Sequence, residues 1–176
     1  MLQVGRHQVT HYDTRWLLDA LTRAASDAGL DGFPCLDEIG EGVMRYLEHL
    51  CPLQMLPVSQ LQQRVRRMLE EVGCPAIARH LPAFAPPVTV SLLNAAHQGG
   101  AGFELAFFER IRREVAELRH EGAAAIHFTD HREAVRFATG RDSWDSTCQR
   151  LLDELDQFLA ALDCRPPTPN PGRITA

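Results

Sequence analysis

His127 and His131 are four residues apart with Asp130 between them, a spacing that lets two imidazoles chelate a metal from one helical face. The local pattern, however, reads AAAIHFT as a strand and residues 131–138 as a helix, so the two rings fall on different elements and Asp130 reads as a strand end and helix cap. Gly99, Gly100 and Gly102 precede a helix, where backbone N–H groups can cradle an anion. The lysine and hydroxyl residue of a P-loop do not follow, nor does the spacing of a dinucleotide fingerprint, and a flexible connector is the simpler reading. Arg64, Arg66 and Arg67 with Glu70 and Glu71 read as a solvated helix face with local ion pairs. His80, His97 and His120 fall near element ends, where a histidine serves a helix terminus or solvent. The five cysteines, Cys35, Cys51, Cys74, Cys148 and Cys164, are spread singly, which fits reduced thiols better than disulfides or a zinc ribbon.

Composition narrows the chemistry further. All 18 basic residues are arginine, so a Schiff base or any other step needing a lysine amine is excluded. There is no GxSxG elbow and no carboxylate pair in an apolar setting, and the chain reads as a binding module rather than an enzyme. A net charge of −5 argues against a nucleic-acid partner, which would call for a basic face. No apolar run reaches membrane-spanning length and the first residues lack a long apolar core, so the expectation is a cytoplasmic protein with no membrane partner.

The elements that must position these residues follow from periodicity. Residues 2–11 alternate around a turn near Gly5 to Gln8 and predict a hairpin. Asp13 or Thr14 then caps a helix with Leu17, Leu21, Ala24 and Ala28 on its buried stripe, closed by Gly29. Leu36, Ile39, Val43, Leu47 and Leu50 predict a second helix, and Leu53 to Leu56 a short strand or extended connector. From Pro57 the chain reads PVSQLQQRVRRMLEEVGCPAIARHL: a helix capped by Ser59 with Leu61, Val65, Met68, Leu69 and Val72 on one face, a stop at Gly73, and a short helix from Pro75 that buries Ile77 and Leu81.

The prolines of PAFAPPV interrupt any helix and suggest a boundary. Beyond it, VTVSLL reads as a strand and Phe103 to His120 as a helix whose core face is Phe107, Phe108, Ile111, Val115 and Leu118, with Glu109, Arg110, Arg112, Arg113 and Glu114 left to solvent. The last helix, Ser143 to Leu162, carries a packing seam at Cys148, Leu151, Leu155, Phe158 and Leu162, with Trp144 packing at its start. Residues 165–176 hold four prolines and predict a disordered tail. The predicted organisation is α+β and mainly helical, with units at 1–84 and 85–164.

Tyr12-Asp13 followed by Trp16, Leu17, Ala20 and Leu21, and later Val58-Ser59, Leu61, Val65, Leu69, Gly73, Ala78 and Leu81, resemble the signature of the ATP-cone domain, the nucleotide-sensing module of ribonucleotide reductases and of the repressor of their genes. The resemblance covers residues 1–84 and implies a four-helix bundle capped by a three-stranded sheet, with ATP or dATP between them and Mg²⁺ only alongside the nucleotide. Carried onto this chain it places the nucleotide site at Val4, Arg6, His7, Arg15, Ser59 and Arg79. The family's turn carries a Lys-Arg-Asp-Gly-type sequence where this chain has Val4-Gly5-Arg6-His7, and the family's first-helix lysine is replaced by Trp16 with Arg15 beside it. Arginines at 6, 15 and 79 can still grip phosphate through their planar forks. The implied role is regulation through a nucleotide or a protein partner. The alternatives are a degenerate cone acting as an oligomerising scaffold without nucleotide and a metal-dependent enzyme using the histidines of the second half.

Overall fold

The computed structural model describes residues 1–10, 13–50 and 55–162. The predicted tail, Tyr12, Cys51, Cys164 and the first two residues of the Leu53–Leu56 connector lie outside them. The described residues are mainly helical with two small sheets, an α+β arrangement. By contact density the chain divides into two compact units, Met1–Ser91 with Arg113–Thr129, and Leu92–Arg112 with Asp130–Ala176.

The first unit opens with β1 (Leu2–Val4) and β2 (His7–Val9), paired antiparallel with Leu2 opposite Val9 and Val4 opposite His7. Gly5 takes φ +55°, the demand a type II′ turn makes of its first central residue, which explains the glycine at this tight connection. β3 (Leu56–Pro57) pairs parallel with β1, giving the order β2-β1-β3. Between these strands come α1 (Arg15–Asp27) and α2 (Leu36–Arg45), which passes into a π-helical turn at Tyr46–Leu50 where the periodicity predicts continuous helix. At the start of α1 the Asp13 carboxylate accepts from the Arg15 N–H at 3.2 Å, whereas the Thr14 side chain makes no capping bond.

α3 (Val58–Glu71) and α4 (Pro75–His80) follow β3. α3 begins one residue earlier than its predicted cap: Pro57 holds the cap position and Ser59 lies inside the first turn, because the strand runs directly into the helix. Pro75 opens α4, where its missing N–H is no loss. Arg66 bonds the Leu81 carbonyl beyond α4 at 2.9 Å. Leu2, Trp16, Leu17, Leu21, Leu56, Leu61, Leu69, Ile77 and Phe84 interlock in one apolar cluster, so the small sheet and α1 to α4 share a core. Trp16 and Phe84 stack in it with centroids 5.8 Å apart.

The same unit contains a second layer. β4 (Val88–Ser91) and β5 (Ile126–Thr129) pair parallel, Val88 opposite Ile126 through Ser91 opposite Thr129. With Leu118 and Ala123 they bury Val4, Val9 and Val58. The proline-rich stretch between α4 and β4 is tied down by backbone bonds from the Ala85 N–H to the Gly122 carbonyl (2.9 Å) and from the Ala124 N–H to the Ala85 carbonyl (3.0 Å). The buried Gln62 amide of α3 donates to the carbonyls of Phe84 (2.8 Å) and Glu121 (3.0 Å).

The second unit holds α5 (Leu92–Gly99), the first half of α6 (Glu104–His120), α7 (His131–Ala138) and α8 (Ser146–Leu162). α5 packs on α7, with the rings of His97 and Phe137 4.1 Å apart, and Phe108 meets Phe158 edge-on at 5.0 Å. α5 has no counterpart in the periodicity reading, which continues the strand to Leu93. The helix that forms buries Leu92, Ala95 and Ala96, a stripe too short to register by itself. α8 starts at Ser146 rather than Ser143 because Asp145 caps it, accepting from the Cys148 N–H at 2.9 Å; that bond holds the Asp145 carboxyl below its ordinary value. Trp144, just before the cap, lies under the Arg132 guanidinium at 4.4 Å.

Candidate functional site

The hairpin turn is the place where basic side chains meet a buried carboxylate. Glu114 sits on α6 three residues after Ile111 and four before Leu118, within the helix's apolar stripe, and is only 5% exposed. A buried carboxylate needs partners, because desolvation penalises its charge. The turn supplies them. Arg6 donates through Nε to Glu114 Oε1 at 3.0 Å and pairs through Nη2 with Oε2. His7 Nε2 lies 2.7 Å from Oε1 and, since an ionised carboxylate can only accept, carries the shared hydrogen. Burial pushes the Glu114 carboxyl up, but hydrogen bonds from His7 and Arg6 and their charges outweigh it, so the carboxyl sits below its ordinary value of 4.5. Glu117, one turn further along α6, reaches back against Gly5, leaving 3.1 Å to the point a Cβ there would occupy.

This arrangement corrects the expectation that Glu114 faces solvent. The signal was present in the spacing: a charge at i+3 from Ile111 and i−4 from Leu118 lies on the core face and demands a counter-charge. The counter-charge is more than a hundred residues away in sequence, beyond the reach of periodicity.

The remaining predicted nucleotide residues are spread over other elements. Val4 is fully buried among the valines of the second layer, so its side chain is a packing residue. Arg15 is 88% exposed in its side chain and lies 3.7 Å from the Asp13 carboxylate. Ser59 and Arg79 are exposed, on α3 and on the last turn of α4. Arg6 and His7 therefore converge on one anion, and that anion is the protein's own.

A concavity lies between α2 with its π-helical turn and α3. It is a groove of about 240 Å³ walled by Val43, Tyr46, Leu61, Val65 and Met68, with the Arg64 guanidinium 5.5 Å from the Tyr46 ring centre. Arg64 and Arg66 thus have structural contacts, which modifies the expectation of a wholly solvated arginine face.

His127 lies on β5 and His131 at the start of α7. Among the described residues no group of three His, Cys, Asp or Glu side chains is placed to hold a metal. Asp130 between them takes φ +62°, a left-handed conformation that aspartate tolerates better than most side chains. Gly100 and Gly102 have φ of +91° and +76° and turn the chain from α5 into α6, and a Cβ on Gly99 would fall 3.1 Å from the Phe107 backbone nitrogen, so these glycines have a structural reason to be there. Cys35, Cys74 and Cys148 are free thiols, Cys148 buried with its sulfur 3.4 Å from the Thr139 hydroxyl.

The grip on Glu114 makes stability depend on acid. A carboxyl whose folded pKa is depressed contributes stability that is complete above its unfolded value, here about 4.5, and is lost as pH falls through the folded pKa. The groups facing it are Arg6 and His7, with Glu117 beside the turn. Wild-type protein should therefore lose melting temperature below about pH 4.5 more steeply than Glu114→Gln, compared by thermal unfolding from pH 7 to pH 3. Equal slopes would mean that the buried carboxylate is not the group titrating.

No protein-family model matches the chain, and no curated protein and no solved structure matches it. The described residues define a mainly helical α+β protein, and among them no helix is long and apolar enough to cross a membrane. A more specific assignment rests on the geometry of the first unit.

Proposed function

We propose that residues 1–84 form an ATP-cone-like regulatory module that senses ATP or dATP, with Mg²⁺ arriving on the nucleotide's phosphates rather than on a protein site. The observation that carries this reading is the order of elements: a hairpin, two helices, a return strand that pairs with the first strand in the order β2-β1-β3, and two further helices over the same core. That is the succession the ATP-cone resemblance implies. The turn at its tip also presents Arg6 and His7 so that both close on one carboxylate, the geometry an arginine fork offers a phosphate. A module of this kind acts by coupling ligand occupancy to a partner, which is a binding role and not a chemical step.

A second reading has a specific observation in its favour. Arg6 and His7 are already engaged by Glu114, and Arg15 and Arg79 face water, as expected of a cone that keeps its fold and works as an interaction or oligomerisation scaffold.

Thermal unfolding with and without ATP, dATP and magnesium separates the two. A ligand at about 100 times its Kd adds about 2.7 kcal/mol, which for a chain of this length raises the melting temperature by roughly 5 to 10 °C. The nucleotide reading expects such a rise, reduced in Arg6→Ala relative to that variant's own unliganded melt. No rise at millimolar nucleotide, in wild type and in Glu114→Gln alike, leaves the scaffold reading.

A further inference from the structure

We infer that Glu114 is a tethered competitor for phosphate, an internal anion that occupies the turn's cationic grip and must be displaced before a nucleotide can use it. The inference rests on the nucleotide reading above and adds its regulation. Arg6 and His7 are the basic side chains of the hairpin turn, and both are spent on the two oxygens of one carboxylate. An incoming phosphate and Glu114 seek the same N–H donors, so they exclude each other. The competitor has the advantage of being part of the chain: its local concentration is set by the fold and not by the solution.

The linkage follows directly. If the latched arrangement holds a fraction of molecules, only the unlatched remainder offers its donors, and the apparent Kd is the intrinsic Kd divided by the unlatched fraction. A phosphate that takes Arg6 and His7 leaves Glu114 at a site that is almost fully buried, without counter-charge. Such a carboxylate is expensive to keep in place. It must therefore move towards water, and it is carried by the Arg113–Thr129 segment of the first unit, whose Leu118 and Ala123 also pack under the hairpin valines. Anion binding at the turn is thereby coupled to loosening of the α6 C-terminal half, which gives a sensory turn a mechanical output. Glu117, lying against Gly5, adds a second negative charge that repels the same ligand.

The test compares binding of ATP and of inorganic tripolyphosphate by calorimetry to the full chain, to Glu114→Gln and to Glu114→Asp, each first checked for a cooperative melt. Glu114→Gln keeps the shape and one acceptor but removes the charge. It should bind both ligands about tenfold or more tightly than wild type, the scale of one charge-assisted hydrogen bond. Glu114→Asp, which withdraws the carboxylate by one methylene, should fall between, and it serves if the glutamine variant does not fold. Adding Arg6→Ala should erase the gain. In the wild-type chain, saturating ATP should speed amide exchange in residues 113–120. Wild type and Glu114→Gln binding ATP equally well, with unchanged exchange, would overturn the competitor and leave the nucleotide reading standing. Failure of wild type, Glu114→Gln and Glu114→Asp alike to bind either ligand would overturn both.

Discussion

Gly122→Ala should cost the protein at least about 3 kcal/mol, enough to remove the folded state of a marginal domain, while Gly73→Ala should cost about 1 kcal/mol. Both glycines have left-handed φ, +84° at Gly122 and +86° at Gly73, so both substitutions incur the same backbone strain. Their surroundings differ. A Cβ on Gly73 meets nothing within 4 Å, whereas one on Gly122 falls 2.3 Å from the carbonyl carbon and oxygen of Ala83 and 2.4 Å from the nitrogen of Phe84. Those neighbours are main chain and cannot turn aside as a side chain would. They belong to the stretch whose Ala85 N–H bonds the Gly122 carbonyl, so relief of the clash breaks the pairing that joins the two segments. Chemical denaturation of the two variants measures the contrast directly. A Gly122→Ala variant no less stable than Gly73→Ala would mean that the two segments do not approach as described.

Much of the fold was legible in local pattern. The stripes of α1, α3, α6 and α8 fall at helical spacing, Gly29 and Gly73 end their helices in left-handed conformations, and the hairpin turn announces itself at Gly5. What escaped has a common physical cause. α5 is eight residues long and follows a β-branched run, so its helical state comes from burial against α7 and not from its own sequence. The parallel pairing of β4 with β5 spans two helices, and periodicity carries no information about which strands pair.

The candidate site escaped in the same way. Residue type singles out Arg6, but the residue that holds it reads as solvent-facing, because a charged side chain on a helix usually faces water. Position within the stripe was the better guide. Glu114 between Ile111 and Leu118, and Gln62 between Val58 and Val65, are both polar residues on a core face, and both prove to be the groups on which distant segments converge.

Gln62 allows the sharper test of that rule. Its amide nitrogen donates to the Phe84 carbonyl at 2.8 Å and the Glu121 carbonyl at 3.0 Å, and the residue is 8% exposed. Replacing it with leucine keeps the bulk and adds apolar surface, which for an ordinary core position would be neutral or stabilising. Here it removes both donors and strips these two main-chain oxygens of the partner they share, at about 1–3 kcal/mol for each that is left unsatisfied. The expected loss is about 3 kcal/mol in urea unfolding. Gln62→Glu should lose more, since an ionised carboxylate would bring two acceptors against two carbonyls with no hydrogen to share. Its loss should shrink as the pH is lowered, because a protonated carboxyl regains one donor. A leucine variant as stable as wild type would show that water can replace the amide, and that α3 does not pin the two segments.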